Sequence, residues 1–256
     1  LIPTVLALSV FVFILMQIAP GDPTYLYTGP QVSKEVYERT REFLGLDQPL
    51  YIQFWKFLTN LSKGNLGRSL AYRTDVIDLL KLRLPNTLLL GGAALITTYI
   101  IAIPFGTFAA INRGKLFDSI ILFFIAIGMA VPTFWMGLML ILLFSVSLRL
   151  LPVSGYDSIR HMILPVLTIT LVQMSFVMRM MRSSMLEVLH EDYVRTARAK
   201  GVKENVVIFK HALRNALVSV ISVMGMQIGW LVGGSVVIET VFVWPGVGRL
   251  LVDSIL

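Results

Sequence analysis

RMMRSSMLEVLHEDYVRTARAKGVKENVVIFKHALRNAL, from Arg179 to Leu217, decides how this chain is read. It carries eight of the twenty-two Lys and Arg residues, against four acidic ones: Glu187, Glu191, Asp192 and Glu204. Long apolar segments flank it on both sides. A basic loop between membrane spans belongs on the cytoplasmic side. Leu186, Leu189, Tyr193 and Ala197 recur at helical spacing, Gly201 interrupts, and Val202, Val206, Phe209 and Leu213 form a second stripe. The pattern predicts two short amphipathic helices joined by a glycine, which is a docking surface.

Composition agrees that the rest is membrane. Hydrophobic residues are 56% and charged ones 14% of the chain, with a mean hydropathy of +0.77. A soluble domain carries about 25% charged residues. The net charge of +7 is spread among apolar spans, which argues for topology and anionic lipid contact and against a nucleic-acid face. With no cysteine, disulfides and thiolate metal sites are excluded.

Working outward, residues 1–18 are nearly all apolar and read as a first span whose start is trimmed. Ala19-Pro20-Gly21-Asp22-Pro23 breaks that helix. Residues 19–85 read as an outer helical insert with nine basic and seven acidic residues. It holds a helix from an N-cap at Ser33 to a stop at Gly45, another ending at Gly64, and a third short one from Asp75 to Leu82 before Pro85. Residues 86–256 read as the core. Its spans run over Asn86–Ile111, Ser119–Leu148 (tilted or broken near Pro132), His161–Met181 and Val218–Ile238. Gly225, Gly229, Gly233 and Gly234 allow the last of these to pack closely. A re-entrant outer turn at Glu239–Gly246 then leads into the start of a sixth span. The short Arg113/Lys115 turn lies on the inside in this scheme.

Enzymatic signatures are absent. There is no G-x-x-x-x-G-K-[ST] phosphate loop, no G-x-S-x-G elbow and no H-E-x-x-H. His161, His190 and His211 are too scattered to predict a metal site. No catalytic residue is assigned. Within the spans, Gln173 and Gln227, flanked by Met174 and Met224, are either interhelical hydrogen-bonding groups and filler or the lining of a pathway. Arg179 and Arg182 are expected to snorkel to headgroups. Glu239, with Trp244 and Pro245, either caps the outer turn or forms a gate or a contact with a binding protein.

DYVRTARAKG followed by HALRNAL resembles the cytoplasmic "EAA" loop of ABC-importer permeases, in the dipeptide/oligopeptide/nickel branch. APGDP after the first span and ETVFVWPGVG near the end resemble the same branch, so the likeness covers nearly the whole chain. Where the wider family has Glu-Ala-Ala, this chain has Arg195, Thr196 and Ala197, and the glutamate's role does not carry over. The resemblance implies an all-α polytopic fold with about six membrane helices when intact, five and the start of a sixth being present here. It implies that Tyr193, Arg195, Ala197, Ala199 and Gly201 couple the chain to an ATPase. Beyond the glycine, Val202, Val206, Phe209 and His211 share that role.

It further implies a bacterial or archaeal cytoplasmic membrane, a second homologous permease, two ATPase subunits that hold ATP and Mg, and an extracytoplasmic substrate-binding protein. This chain then holds no cofactor of its own. A di- or oligopeptide is the expected cargo, and nickel or a nickel chelate the rival. An ion-gradient transporter would instead show buried acidic or basic residues at mid-membrane and an inverted repeat. A receptor or structural subunit would have no use for the glycine-hinged loop.

Overall fold

The computed structural model describes residues 2–18, 21–29, 31–69 and 71–255. All regular elements among them are helical, with one isolated bridge between Arg68 and Asp75. The chain divides into two compact units, Leu1–Leu82 and Arg83–Leu256.

The first unit holds α1 (Ile2–Ile18), α2 (Pro23–Thr28), α3 (Lys34–Leu44) and α4 (Leu50–Ser62). Ala19 and Pro20, the first half of the APGDP break, lie outside the described residues. Asp22 then caps α2, accepting from the backbone N–H of Thr24, with Pro23 at the first helical position. The Asp22 carboxylate also accepts a hydrogen bond from the Tyr37 hydroxyl, which ties α2 to α3. Ser33 caps α3 and Gly45 closes it at φ 69°, as the sequence predicts. Along α1, Phe13 meets Phe54 and Phe57 of α4, with ring centroids 5.2 and 5.9 Å away.

The expected short helix before Pro85 is absent as a separate element. A single helix, α5 (Val76–Ile111), runs through both Pro85 and Pro104. Proline removes one hydrogen bond and crowds the preceding turn. Here Thr87, Leu90, Gly91 and Ala94, all buried just downstream, hold the helix in register. Then follow α6 (Leu116–Ala130) and α7 (Thr133–Leu140), the latter prolonged by a π-helical stretch over Ile141–Ser147. The two halves bend by 106° at the Val131-Pro132 break, so the expected third span is broken.

Helix α8 (Ile159–Val188) continues well past the expected end at Met181. After α9 (Asp192–Ala199), the chain runs from α10 (Glu204–Val206) through a π-helical stretch (Val207–Ala212) into α11 (Leu213–Gly234) without a break. The basic stretch is therefore not one loop with two free helices. Its ends belong to the flanking spans, and residues 189–203 form the loop proper. The last elements are α12 (Val236–Val241) and α13 (Val247–Ile255). Val76–Ile111, Ile159–Val188 and Glu204–Gly229 are each long and apolar enough to cross a membrane, and the bent pair makes a fourth crossing if it counts as one span. α1 is shorter.

The core of the second unit falls into two clusters. At the end that carries loop 189–203, Met178, Met181 and Met185 of α8 fill the space over Ala102, Ala109 and Ala110 of α5. Ile121 and Ile125 of α6 and Ile208, Ala212, Ala216 and Val220 of the last long helix close that cluster. Alanines let backbones approach while unbranched methionines fill the irregular gaps. At the other end, Trp244 and Phe242 pack with Leu90, Leu164 and Ile238.

Candidate functional site

The loop is anchored by a residue that its stripe pattern does not single out. Val194 is wholly buried, while Tyr193, Arg195 and Ala199 are exposed and Ala197 is half-buried. Gly201 sits at φ +75°, with nothing near the place a Cβ would occupy, so the backbone angle alone calls for glycine there. Two side-chain links set α9 against the helix that follows. Arg198 donates to Glu204 across the turn, Nη2 to Oε1 at 2.8 Å and Nε to both oxygens at 3.2 Å. The Asn215 amide donates to the Tyr193 hydroxyl at 2.8 Å and to the His211 carbonyl at 3.0 Å.

Val202 is half-buried and Val206 exposed. Phe209 is exposed as well, but its ring lies edge-on to Phe108 of α5 at 6.2 Å. The inward-facing residues of this helix are Val207, Ile208 and Ala212, one position away from the expected stripe. Val206 and Phe209 thus lie on the outer face, where a partner can reach them.

Arg182 does not snorkel. Its guanidinium makes a two-pronged ion pair with Asp118, Nε to Oδ1 at 2.6 Å and Nη2 to Oδ2 at 2.8 Å. The Gly114 N–H donates to the same carboxylate at 2.9 Å. The aspartate side chain is 4% exposed. A desolvated carboxylate at a helix start must find a partner, and an arginine fork matches it best. Arg179, in contrast, is exposed beside the Phe176 ring.

Midway along the bundle, Gln173 and Gln227 come together. With Leu95, Thr98 and Ile169 they line one cleft. The Tyr99 hydroxyl donates to Gln227 Oε1 at 2.8 Å, and the buried Thr98 hydroxyl has no hydrogen-bond partner. Met174 and Met224 pack, half-buried, against the methionine-rich core. Among the described residues, no group of three His, Cys, Asp or Glu could hold a metal ion.

At the far end Glu239 is wholly buried, which removes it from direct contact with a binding protein. Its Oε1 accepts from the Thr87 hydroxyl at 2.7 Å and the Ser235 hydroxyl at 3.0 Å. Its Oε2 accepts from the Arg249 N–H at 3.0 Å, at the start of α13, where a helix dipole favours negative charge. A Cβ on Gly246 would strike this carboxylate. Trp244 Nε1 donates to the Asn86 carbonyl at 3.0 Å, and Asn86 Nδ2 returns a bond to the Pro245 carbonyl at 2.9 Å. The α12–α13 turn is thereby latched to α5.

Residues 102–256 match the family described as binding-protein-dependent transport system inner membrane component. Residues 1–91 match the N-terminal family of the same membrane component. The chain belongs to this family: it is an inner-membrane permease subunit of an ABC importer, in the peptide and nickel branch, and not an enzyme. Importers of this kind work with an ATPase and a substrate-binding protein. Among its relatives is the glutathione transport system permease protein GsiC of Escherichia coli, 45% identical over 255 residues, all of this chain and 83% of the relative. The protein of the same name from Shigella dysenteriae serotype 1 is also 45% identical, with the same coverage. That from Salmonella paratyphi A is 44% identical, again over all of this chain and 83% of the relative.

Proposed function

We propose that this permease carries a short peptide through the membrane, along a path that passes the Gln173/Gln227 cleft. The observation behind this reading is that two neutral amides and an unpartnered hydroxyl meet at one place among otherwise apolar helices. Amides donate and accept at once, so they suit a backbone of peptide groups whatever its side chains. Nickel, the rival cargo, favours imidazole and similar ligands. The relatives' named cargo, glutathione, is itself a tripeptide. One of two ATPase subunits, which hold ATP and Mg, docks on loop 189–203 and the helix after it, through the outer face of α9 and through Val206 and Phe209. A second, related permease completes the pathway, and an extracytoplasmic binding protein delivers the cargo.

Uptake into proteoliposomes containing the complete complex tests this. Glutathione, a dipeptide, a pentapeptide and nickel are offered in turn, each with ATP inside and the binding protein outside. At least one peptide is taken up, and Gln173→Leu with Gln227→Leu slows that uptake while the complex stays assembled. Uptake of nickel alone refutes the peptide reading.

A further inference from the structure

Helix α4 has a composition that water does not tolerate. Of its thirteen residues, Leu50, Tyr51, Ile52, Phe54, Trp55, Phe57, Leu58 and Leu61 are large and apolar, and none of the thirteen is buried. Leu50 is 58%, Tyr51 73% and Trp55 68% exposed. Gln53, Lys56 and Asn60 share one side of the helix, and the wide apolar face that remains needs an apolar surrounding, as in helices that lie at a membrane surface. Its neighbour α3 is the opposite: Lys34, Glu35, Glu38, Arg39, Arg41 and Glu42 make it a helix for water.

The neighbour of α4 on its other side says what surrounds it. Phe54 and Phe57 pack on Phe13 of α1, and Gln53 Oε1 accepts a bond from Gln17 Nε2 at 3.2 Å. Helix α1 ends at Ile18, and the capping Asp22 follows closely. Phe13 is five residues inside that end, which at 1.5 Å per residue is roughly 7 Å down the helix. Contact passes from Gln17–Gln53 to Phe13–Phe57, so α4 slants downward along α1 as it proceeds. The depth matches the roughly 5–10 Å to which interfacial helices bury their apolar faces. Tyr51 and Trp55, one turn apart on the free face, are the residue types that collect at headgroup level. The one charge, Lys56, leaves this face, since its ammonium lies beside Gly45 at the C-terminal end of the aqueous α3.

We infer that α4 is an interfacial helix, seated in the lipid leaflet on the insert's side, with Tyr51 and Trp55 in the headgroup layer and α3 standing in water above it. The insert between the first two spans is thus anchored to the bilayer surface. This holds whatever the cargo.

The test uses the complete complex in phospholipid nanodiscs. Nitroxide labels are attached to Trp55→Cys, Tyr51→Cys and, as a water reference, Glu38→Cys, each on the naturally cysteine-free chain. Collision rates with molecular oxygen, which dissolves in lipid, and with a water-soluble nickel chelate are then compared. A lipid-seated α4 gives an oxygen-to-chelate ratio several-fold higher at 51 and 55 than at 38. A ratio equal to that at 38 places α4 in water and overturns the inference. Shielding from both probes places it under a partner subunit and overturns it too.

Discussion

Glu239 Oε1 accepts a 2.7 Å hydrogen bond from the Thr87 hydroxyl, across 152 positions of sequence. Thr87 also accepts from the Val247 N–H at 2.8 Å, so one hydroxyl serves both the carboxylate and the first residue of α13. The α12–α13 turn is therefore fixed to α5 by a network in which the Thr87 hydroxyl and both Glu239 oxygens are occupied. Such a network is worth most when complete, because each buried group left alone keeps its desolvation cost.

Thr87→Val keeps the shape and removes the hydroxyl. It leaves the Val247 N–H unserved and takes one donor from Glu239, a loss of about 1–3 kcal/mol. Thr97→Val is the comparison, since the Thr97 hydroxyl bonds only to Ala93 of its own helix. Thermal unfolding of the purified complex should show a clear fall in Tm for Thr87→Val and little for Thr97→Val. Equal shifts would show that the latch is not a network.

Local features of the chain are legible in its sequence, and those that depend on distant packing are not. Ser33, Gly45 and Gly201 act within one or two helical turns, so residue type and spacing place them correctly. Pro85 does not obey its local rule, because what keeps α5 continuous is packing by Thr87 and Leu90 against distant parts of the chain. The Asp118–Arg182 pair joins positions 64 apart, and no periodicity links them. Periodicity also puts Val206 and Phe209 on one face of their helix, and both are exposed; what it does not show is that Val207 and Ile208, in the π-helical stretch that follows Val206, are the residues that turn inward. The burial of Glu239 likewise follows from two glycines, Gly246 and Gly248, letting α13 close over its carboxylate.

The ion pair makes a second prediction. Asp118→Asn leaves the Arg182 guanidinium half-buried without its partner, and breaking a buried pair costs about 3 kcal/mol. Asp118→Asn combined with Arg182→Gln removes both charges, and its cost should be clearly less than the sum of the single changes. A double-mutant cycle on thermal unfolding measures the difference. Additive losses would mean that the two groups do not interact.

Gly201 separates backbone strain from crowding. No atom lies where a Cβ would go, so substitutions there act through φ alone. Asn tolerates the left-handed region and Val does not. Gly201→Val should therefore impair transport-linked ATP hydrolysis in the reconstituted complex, with Gly201→Asn in between, while both insert normally. Full coupling in Gly201→Val would remove the glycine from the coupling role.

Orientation is the broadest prediction, and exposure decides where to probe it. The insert, residues 19–85, carries nine basic residues against eight in 179–217, so a bare count would put the insert inside. Its length weakens the charge rule, and seven acidic residues dilute it. The short Arg113/Lys115 turn agrees with the 179–217 stretch instead. Ser184 lies in that basic stretch but is only 8% exposed, so silence there would say nothing about sidedness. Asp192, at the start of α9, has a side chain 97% exposed, and Glu38 on α3 has one 61% exposed. In intact cells an impermeant thiol reagent should label Glu38→Cys at once and Asp192→Cys only after the membrane is opened. Labelling of Asp192→Cys from outside would put loop 189–203 on the wrong side for any ATPase, and the coupling assignment would fall with it.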